Sequence, residues 1–319
     1  MITSKTIAVT GGTGFVGRSV LKLLAGHGAD VRALTRNPHS GSDAAITWIE
    51  GDLQNEAALA DLARGADSFI HIAGLTKADH LSKLLLANSQ GAGAAAVAAR
   101  AANVRRFIHV SSIAAREPHL SDYAYSKRAG ERAVIAAAGD MELVIVRPPA
   151  ILGPGDDATA PVLRMMKRGW LPAPAGKARR DGQMSFVYME DVARFLIEQI
   201  SAQLLTDSAH NTGAQTNGQV LTPHGGTPVS GWDDLAEAAS NVLGKKVRVL
   251  PISPLILAPA ARIAQISCAL FGGSTFFNAG KVREMLHNDW TGDSMIAGAC
   301  NLETCLRLAY ELDSLNETQ

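Results

Sequence analysis

The sequence predicts an α/β protein: a doubly wound, Rossmann-type parallel sheet with a smaller mixed C-terminal domain. Three observations carry this. Short apolar runs alternate with helix-length segments through the first half of the chain. The first run passes directly into the glycine cluster Gly11-Gly12-Thr13-Gly14-Phe15-Val16-Gly17. After Arg147-Pro148-Pro149 the alternation breaks, and prolines and glycines crowd residues 148–182.

The elements follow in order. Residues 5–10 read as a short buried strand, and a helix from about Phe15 to Gly26 puts Val16, Val20, Leu23 and Leu24 on one face. Further strands are read at 30–35, 68–73, 106–110 and 143–146. Helices at about 84–102, rich in alanine, and 123–138 lie between the later ones. Parallel strands need such crossover helices. Parallel sheets are buried on both faces, which accounts for strands that are apolar almost throughout. A strand and helix return near 184–202, the stretch 211–231 reads as irregular, and helices at 232–243, about 254–271 and near 302–313 complete the chain.

Bulk composition excludes several classes. At 319 residues, 47% hydrophobic and 19% charged, the chain is globular rather than disordered. Thirty basic and thirty acidic side chains cancel, so charge offers no case for nucleic acid. Cys268, Cys300 and Cys305 are too few and too late for a disulfide framework, and no ligand spacing for a metal accompanies them. The N-terminus shows no leader pattern, which makes a cytoplasmic protein the expectation. The apolar stretch Val249 to Phe271 is interrupted by Pro251, Pro254, Pro259, Arg262 and Gln265. A membrane span needs about 20 consecutive apolar residues, so none is expected.

The glycine cluster joins a strand to a helix. Gly12, Gly14 and Gly17 satisfy G-x-G-x-x-G, and Gly11, Gly14 and Gly17 satisfy G-x-x-G-x-x-G. Glycine serves a tight turn, close backbone approach to a pyrophosphate, and close packing of helix on strand. The helix N-terminus then turns free N–H groups toward the phosphates. A dinucleotide is the expected ligand. Where an acid would hold the ribose hydroxyls of NAD(H), this chain has Thr35 followed by Arg36, and Asp30 lies at the start of the strand. A guanidinium fork suits a 2′-phosphate, so NADP(H) is favoured and NAD(H) is the alternative. The division is therefore a dinucleotide-binding domain at 1–150, with a return segment at about 183–203, and a substrate domain from 151–182 and 204–319.

Tyr123 and Lys127 are four apart on a helix and share one face. A phenol of ordinary acidity, near pKa 10, is a weak acid–base at neutral pH, and a neighbouring ammonium lowers that value. A hydroxyl at Ser111-Ser112, just after the preceding strand, is placed to hold a substrate oxygen. Tyr125 has Ala129 four residues on and is the weaker candidate.

These pieces together resemble the extended, or closely related atypical, branch of the short-chain dehydrogenase/reductase superfamily, the NAD-dependent epimerase/dehydratase-like proteins. The matching segments are Thr10–Gly17, Gly51-Asp52-Leu53, His71–Gly74, Asn88, Val110-Ser111-Ser112, Tyr123/Lys127, Arg147-Pro148 with Gly153–Asp156, and Phe186–Val192, in the family's order. The resemblance implies that Asp52 and Leu53 border the adenine, and that Ala73 and Gly74 line the cofactor. It implies that Tyr123 is the acid–base with Lys127 its partner, that Pro148 approaches the nicotinamide, and that Asp191 is structural. Two departures stand out. The family's usual catalytic hydroxyl falls at Ile113, leaving the role to Ser112, and ten residues separate Ser112 from Tyr123, where nucleotide-sugar enzymes often have a longer loop.

In the second half, Arg164, Lys167, Arg168, Lys177, Arg179 and Arg180 read as a solvated basic face in preference to a diphosphate clamp. Trp290 reads as packing. Leu255, Ile256, Ile263, Ile266, Leu270 and Phe271 read either as helical core or as the lining of an apolar pocket. The expected activity is NADP(H)-dependent hydride transfer at a hydroxyl or carbonyl carbon of a small-molecule substrate. The alternatives are a nucleotide-sugar epimerase or dehydratase with tightly bound NAD, and a non-catalytic NADP(H)-binding sensor or assembly protein. The resemblance allows a homodimer.

Overall fold

The computed structural model describes residues 2–37, 45–156, 158–176, 181–202, 218–226, 229–270 and 277–316. Lys177, Arg179, Arg180, Phe271 and the whole stretch 203–217 lie outside them, as do the side chains of Ile266, Cys268 and Leu270.

The first half runs β1 (Thr6–Thr10), α1 (Phe15–Gly26), β2 (Asp30–Thr35), β3 (Ile46–Glu50), α2 (Glu56–Ala63) and β4 (Ser68–His71). It continues with α3 (Leu81–Leu85), a π-helical turn (Leu86–Gln90), α4 (Gly91–Ala101), β5 (Arg106–Val110), α5 (Asp122–Ala138) and β6 (Glu142–Val146). Then come β7 (Ala150–Leu152), α6 (Ala160–Lys167), β8 (Trp170–Pro174), β9 (Gln183–Met184), β10 (Phe186–Tyr188), α7 (Met189–Glu198) and β11 (Gly218–Leu221). The remaining helices are α8 (Gly231–Leu243), α9 (Pro254–Leu270), α10 (Ala279–Leu286) and α11 (Leu302–Asn316).

Seven strands form one sheet in the order β11-β6-β5-β4-β1-β2-β3, every neighbouring pair parallel. Side chains alternate across it. Ile7, Val9, Ile70, Ile108, Val144 and Val146 face α1 and α7. Ala8, Phe69, Phe107, Leu143 and Ile145 face α2, α4 and α5. On the second face α4 packs through Ala92, Ala95, Ala96 and Ala99, all fully buried. Methyl side chains let the helix axis approach the sheet, and burying each larger neighbour such as Phe107 or Leu143 contributes about 1.5–3 kcal/mol.

Two elements of this sheet escape a reading by periodicity. β3 is an edge strand, only half-buried, so Ile46–Glu50 lacks a continuous apolar run. β11 carries two aliphatic residues in four. It lies in the stretch that reads as irregular and inside the segment assigned to the substrate domain, yet it pairs with β6 and completes the sheet. Backbone pairing decides it, since Gly218 and Gln219 give no pattern.

A separate apolar cluster joins Leu152, Leu163, Met166, Leu171, Tyr188, Leu235, Ala239, Leu306 and Ala309. A small one seats Leu257 and Ala261 of α9 on Val282 of α10. Among the described residues no helix is long and apolar enough to cross a membrane.

Candidate active site

The cradle at the end of β1 is built by exclusion. Gly11 has φ +75°, and a Cβ there would lie 2.5 Å from the Ala73 nitrogen at the end of β4. A Cβ on Gly17 would lie 2.0 Å from the Gly11 carbonyl oxygen. The turn closes through Gly14 N–H donating to Gly11 O at 3.0 Å. Gly14 caps α1 with no side-chain acceptor, and the first turn holds no acid. The leading N–H groups therefore face outward at the positive end of the helix, a ready anion site. Thr13 and Gly14 are exposed, Phe15 is partly buried, and Val16 is core. Arg18 donates to Thr13 O at 2.9 Å and braces the loop.

Arg36 is exposed just past β2, while Thr35 is buried and its hydroxyl donates to Asn37 O at 2.8 Å. Asp52 is exposed after β3, where its carboxylate accepts Gln54 N–H at 2.9 Å. Leu53 packs so closely on Gly91 that a Cβ there would meet it at 2.7 Å. Thus the ends of β1, β2, β3 and β4 converge along one edge of the sheet, the place where doubly wound folds bind nucleotides.

Beside this edge stands the tyrosine helix. Ser121 caps α5, its hydroxyl accepting Ala124 N–H at 2.9 Å. Lys127 is buried, and its Nζ donates to the Val110 carbonyl at 2.8 Å. Burial lowers its pKa to about 8, against the raising effect of Glu131. A Cβ on Gly74 would lie 3.7 Å from that Nζ, so the end of β4 and the lysine adjoin. Tyr123 is half-buried, and burial pushes its phenol up to about 12; the Ser112 hydroxyl lowers it and the Glu284 carboxylate raises it further. Burial is the largest of these effects, so the phenol of the protein chain itself lies above its ordinary value and not below it as a neighbouring ammonium alone would put it.

The two serines divide. Ser111 is buried and donates to Glu131 Oε1 at 2.6 Å. Ser112 accepts Ala114 N–H at 3.2 Å and is hydrogen-bonded to the Tyr123 phenol. Ile113 is buried, and its N–H donates to Pro148 O at 2.9 Å, which seats Pro148 next to this turn.

Three further parts belong to the site; the resemblance counts Asn88 and His71 among its matching positions without giving either a role, and Glu131 and His109 carry no pattern in the sequence. Asn88 is buried in the π-helical turn and clamps the loop after β4. It accepts Leu75 N–H at 2.7 Å and donates to Leu75 O at 2.8 Å and to Ser126 Oγ at 2.9 Å. Glu131 is buried under a bidentate Arg147 at 2.8 and 2.7 Å, with Arg128 at 3.1 Å. His71 and His109 stack at 5.5 Å beneath Lys127, both driven far below the ordinary histidine value by burial and by that lysine's charge.

Elsewhere, Asp191 is buried and accepts Cys300 N–H at 2.9 Å. Arg164 on α6 and Arg168 just past its end are exposed, and Lys167 lies over the Tyr310 ring. Trp290 donates to Glu284 O at 2.9 Å. Leu255, Ile256 and Ile263 are exposed rather than gathered in a pocket. Among the described residues no three His, Cys, Asp or Glu side chains are placed to hold a metal.

Comparison with known proteins places this geometry. The chain is 38% identical over 292 residues to a ceramide reductase of Caulobacter vibrioides, covering 90% of this chain and 86% of that one. It is 30% identical over 200 residues to a UDP-glucose 4-epimerase of Vibrio cholerae, covering 54% and 60%. The crystal structure of gox2253 superposes with a TM-score of 0.72 at 19% identity, covering 98% and 99%. The model of the NAD dependent epimerase/dehydratase family matches residues 7–204. With the glycine cradle, the parallel sheet and the Tyr-x-x-x-Lys helix in one arrangement, the chain belongs to the NAD dependent epimerase/dehydratase family and is an NAD(P)-dependent enzyme of the extended short-chain dehydrogenase/reductase type.

Proposed function

We propose that this enzyme is an NADP(H)-dependent reductase that converts a ketone of an apolar, lipid-like substrate to the alcohol. The observation that carries the chemistry is the meeting of Ser112, Tyr123 and Lys127 at one end of the sheet. The similarity to a ceramide reductase over nearly the whole of both chains supports the direction and the substrate class. Arg36 after Thr35, with no carboxylate at the end of β2, supports NADP(H).

The cradle fits such a cofactor: added Cβ atoms at Gly11 and Gly17 would strike backbone, and the uncapped start of α1 offers donors to a pyrophosphate. Gly11–Gly17 would hold the pyrophosphate, Arg36 the 2′-phosphate, Asp52 and Leu53 the adenine edge, and Ala73, Gly74, Lys127 and Pro148 the nicotinamide side. When bound, NADPH supplies the hydride that adds to the carbonyl carbon. Ser112 donates a hydrogen bond to the carbonyl oxygen, and Tyr123 delivers the proton that turns the developing alkoxide into the alcohol. Lys127 would favour the tyrosinate that remains.

The test is NADPH consumption with a panel of long-chain keto-amides and shorter ketones, run with wild type and Tyr123→Phe. Consumption that rises with chain length and falls roughly a hundredfold or more in the variant is expected. A second reading, a nucleotide-sugar epimerase, draws on the similarity to the Vibrio enzyme. It would replace the first if the purified protein retained NAD⁺ that NADPH does not exchange, with no ketone reduced.

A further inference from the structure

We infer that Glu284, reaching in from α10, is a positioning residue for Tyr123: its carboxylate fixes the Ser121 cap from which the first turn of α5 starts. The assignment rests on the reading of Tyr123 as the acid–base.

Glu284 and Ser121 are 163 residues apart in sequence, yet the Ser121 hydroxyl donates directly to Glu284 Oε1. The carboxylate is buried, and its other oxygen accepts Lys281 Nζ at 3.0 Å. The Ser121 oxygen accepts Ala124 N–H at the same time. A serine whose proton is committed to a carboxylate has its rotamer chosen, and its lone pair is thereby aimed at the helix. Neither helix needs this for itself. Asn278 already caps α10, accepting Lys281 N–H at 2.9 Å, and Asp122 already supplies α5 with an acid in its first turn. Burying a carboxylate is costly unless the contact does something else.

The neighbouring contacts grip the same segment. A Cβ on Gly280 would lie 2.6 Å from Ser121 Cβ, so glycine is what allows the approach. Arg283 donates to Leu120 O at 2.6 Å, and Arg116 to Thr291 O at 2.9 Å. The stretch from Ser112 to Tyr123 is therefore held from the side of α10, on which α9 packs through Leu257 and Ala261. A shift of α10 is delivered to the tyrosine turn.

The charges around this turn are few. Glu284 raises the Tyr123 phenol, Lys281 faces Glu284, and Asp122 is exposed. Arg116 is engaged with carbonyl groups and pairs with the Asp289 carboxylate at 3.5 Å, Arg283 donates to a carbonyl, and Lys127 points to Val110 O.

The test is a carbon-13 NMR titration of the full chain labelled at tyrosine, which has four such residues, with Tyr123 assigned by Tyr123→Phe. It runs over the alkaline range in which far-UV circular dichroism of the same samples is unchanged. Glu284→Gln keeps an oxygen acceptor for Ser121 and removes the charge. A rise of about threefold or more in the Tyr123 acid constant is expected in Glu284→Gln, with Glu284→Asp moving back toward wild type. Because the charge alone also moves this titration, Glu284→Leu, which removes the acceptor as well, is compared with Glu284→Gln in NADPH-dependent turnover. A fall of about tenfold or more in kcat for Glu284→Leu, with Glu284→Gln within about twofold of wild type, is expected. A kcat in Glu284→Leu equal to wild type, or a Glu284→Gln titration superimposed on wild type, overturns the assignment. Failure of the acid–base reading appears elsewhere, as full turnover by Tyr123→Phe.

Discussion

Lys127 Nζ lies 2.8 Å from the Val110 carbonyl oxygen, buried between the tyrosine helix and the end of β5. One hydrogen bond to a neutral acceptor does not offset the desolvation of an ammonium, which is why its pKa falls to about 8. On the proposed mechanism, the lysine is kept for chemistry at a cost in stability. A shift from 10.5 to about 8 corresponds to about 3 kcal/mol, less about 1 kcal/mol for the hydrogen bond. Lys127→Met is therefore expected to be more stable than wild type by about 2 kcal/mol at pH 7 in urea unfolding. It should also lose turnover. The sign also sets the pH trend. Between about 8 and 10.5 the unfolded chain binds the proton that the folded one has lost, so this residue makes wild type more stable as pH rises through that window. A Lys127→Met protein less stable than wild type at pH 7 would contradict this.

The glycines of the cradle are not equivalent, and what each would strike decides the outcome. A Cβ on Gly17 meets backbone, 2.0 Å from Gly11 O and 2.8 Å from Gly12 Cα. A Cβ on Gly12 meets the Leu21 Cδ1 methyl at 2.7 Å, the far end of a side chain that can turn. Gly17→Ala should cost about 3 kcal/mol or more and abolish dinucleotide binding, while Gly12→Ala should cost about 1 kcal/mol. Thermal unfolding with and without NADPH measures both. Equal losses in the two variants would show that the loop backbone moves freely.

What could be read beforehand follows from locality. The glycine cluster, Tyr123 with Lys127, and the strand cores at β1, β4, β5 and β6 are contiguous patterns, so periodicity and spacing expose them. Asn88, Glu131 and Glu284 are single polar residues on helices, and only folding reveals their partners: Leu75 and Ser126, Ser111 and Arg147, Ser121. His71 and His109 looked like strand residues because they are; their stacking comes from the register that sets β4 beside β5. β11 is defined by its pairing with β6, which a four-residue segment with two aliphatics does not announce.

Arg36 offers a clean discrimination between cofactors. It is exposed beyond β2, next to a threonine whose hydroxyl is turned to Asn37. Charge-assisted hydrogen bonds to a phosphate are worth about 1.5–3 kcal/mol. Arg36→Ala should weaken NADPH roughly tenfold to a hundredfold and leave NADH affinity within about twofold, followed by nicotinamide fluorescence. Parallel losses for both nucleotides would assign Arg36 to the fold rather than to the 2′-phosphate.

The histidine stack makes the enzyme sensitive to mild acid. His71 Nδ1 pairs with Thr10 Oγ1 at 2.8 Å, while its Nε2 and both nitrogens of His109 have no hydrogen-bonding partner within the described residues. Burial, then the charge of Lys127, lowers His71 to about 3, and His109 moves in the same direction. Each imidazole is thus neutral in the folded chain at a pH where the unfolded chain takes up a proton. Below 6.5 the unfolded state binds more protons, so stability falls with pH until the folded pKa is reached. For His71 alone the loss between pH 6.5 and 5 is about 2 kcal/mol, and His109 adds to it. His109→Phe keeps a ring against His71 and cannot take up a proton. Urea midpoints at pH 7 and 5 should therefore converge in this variant relative to wild type. An undiminished fall in His109→Phe would mean that acid acts through groups other than His109.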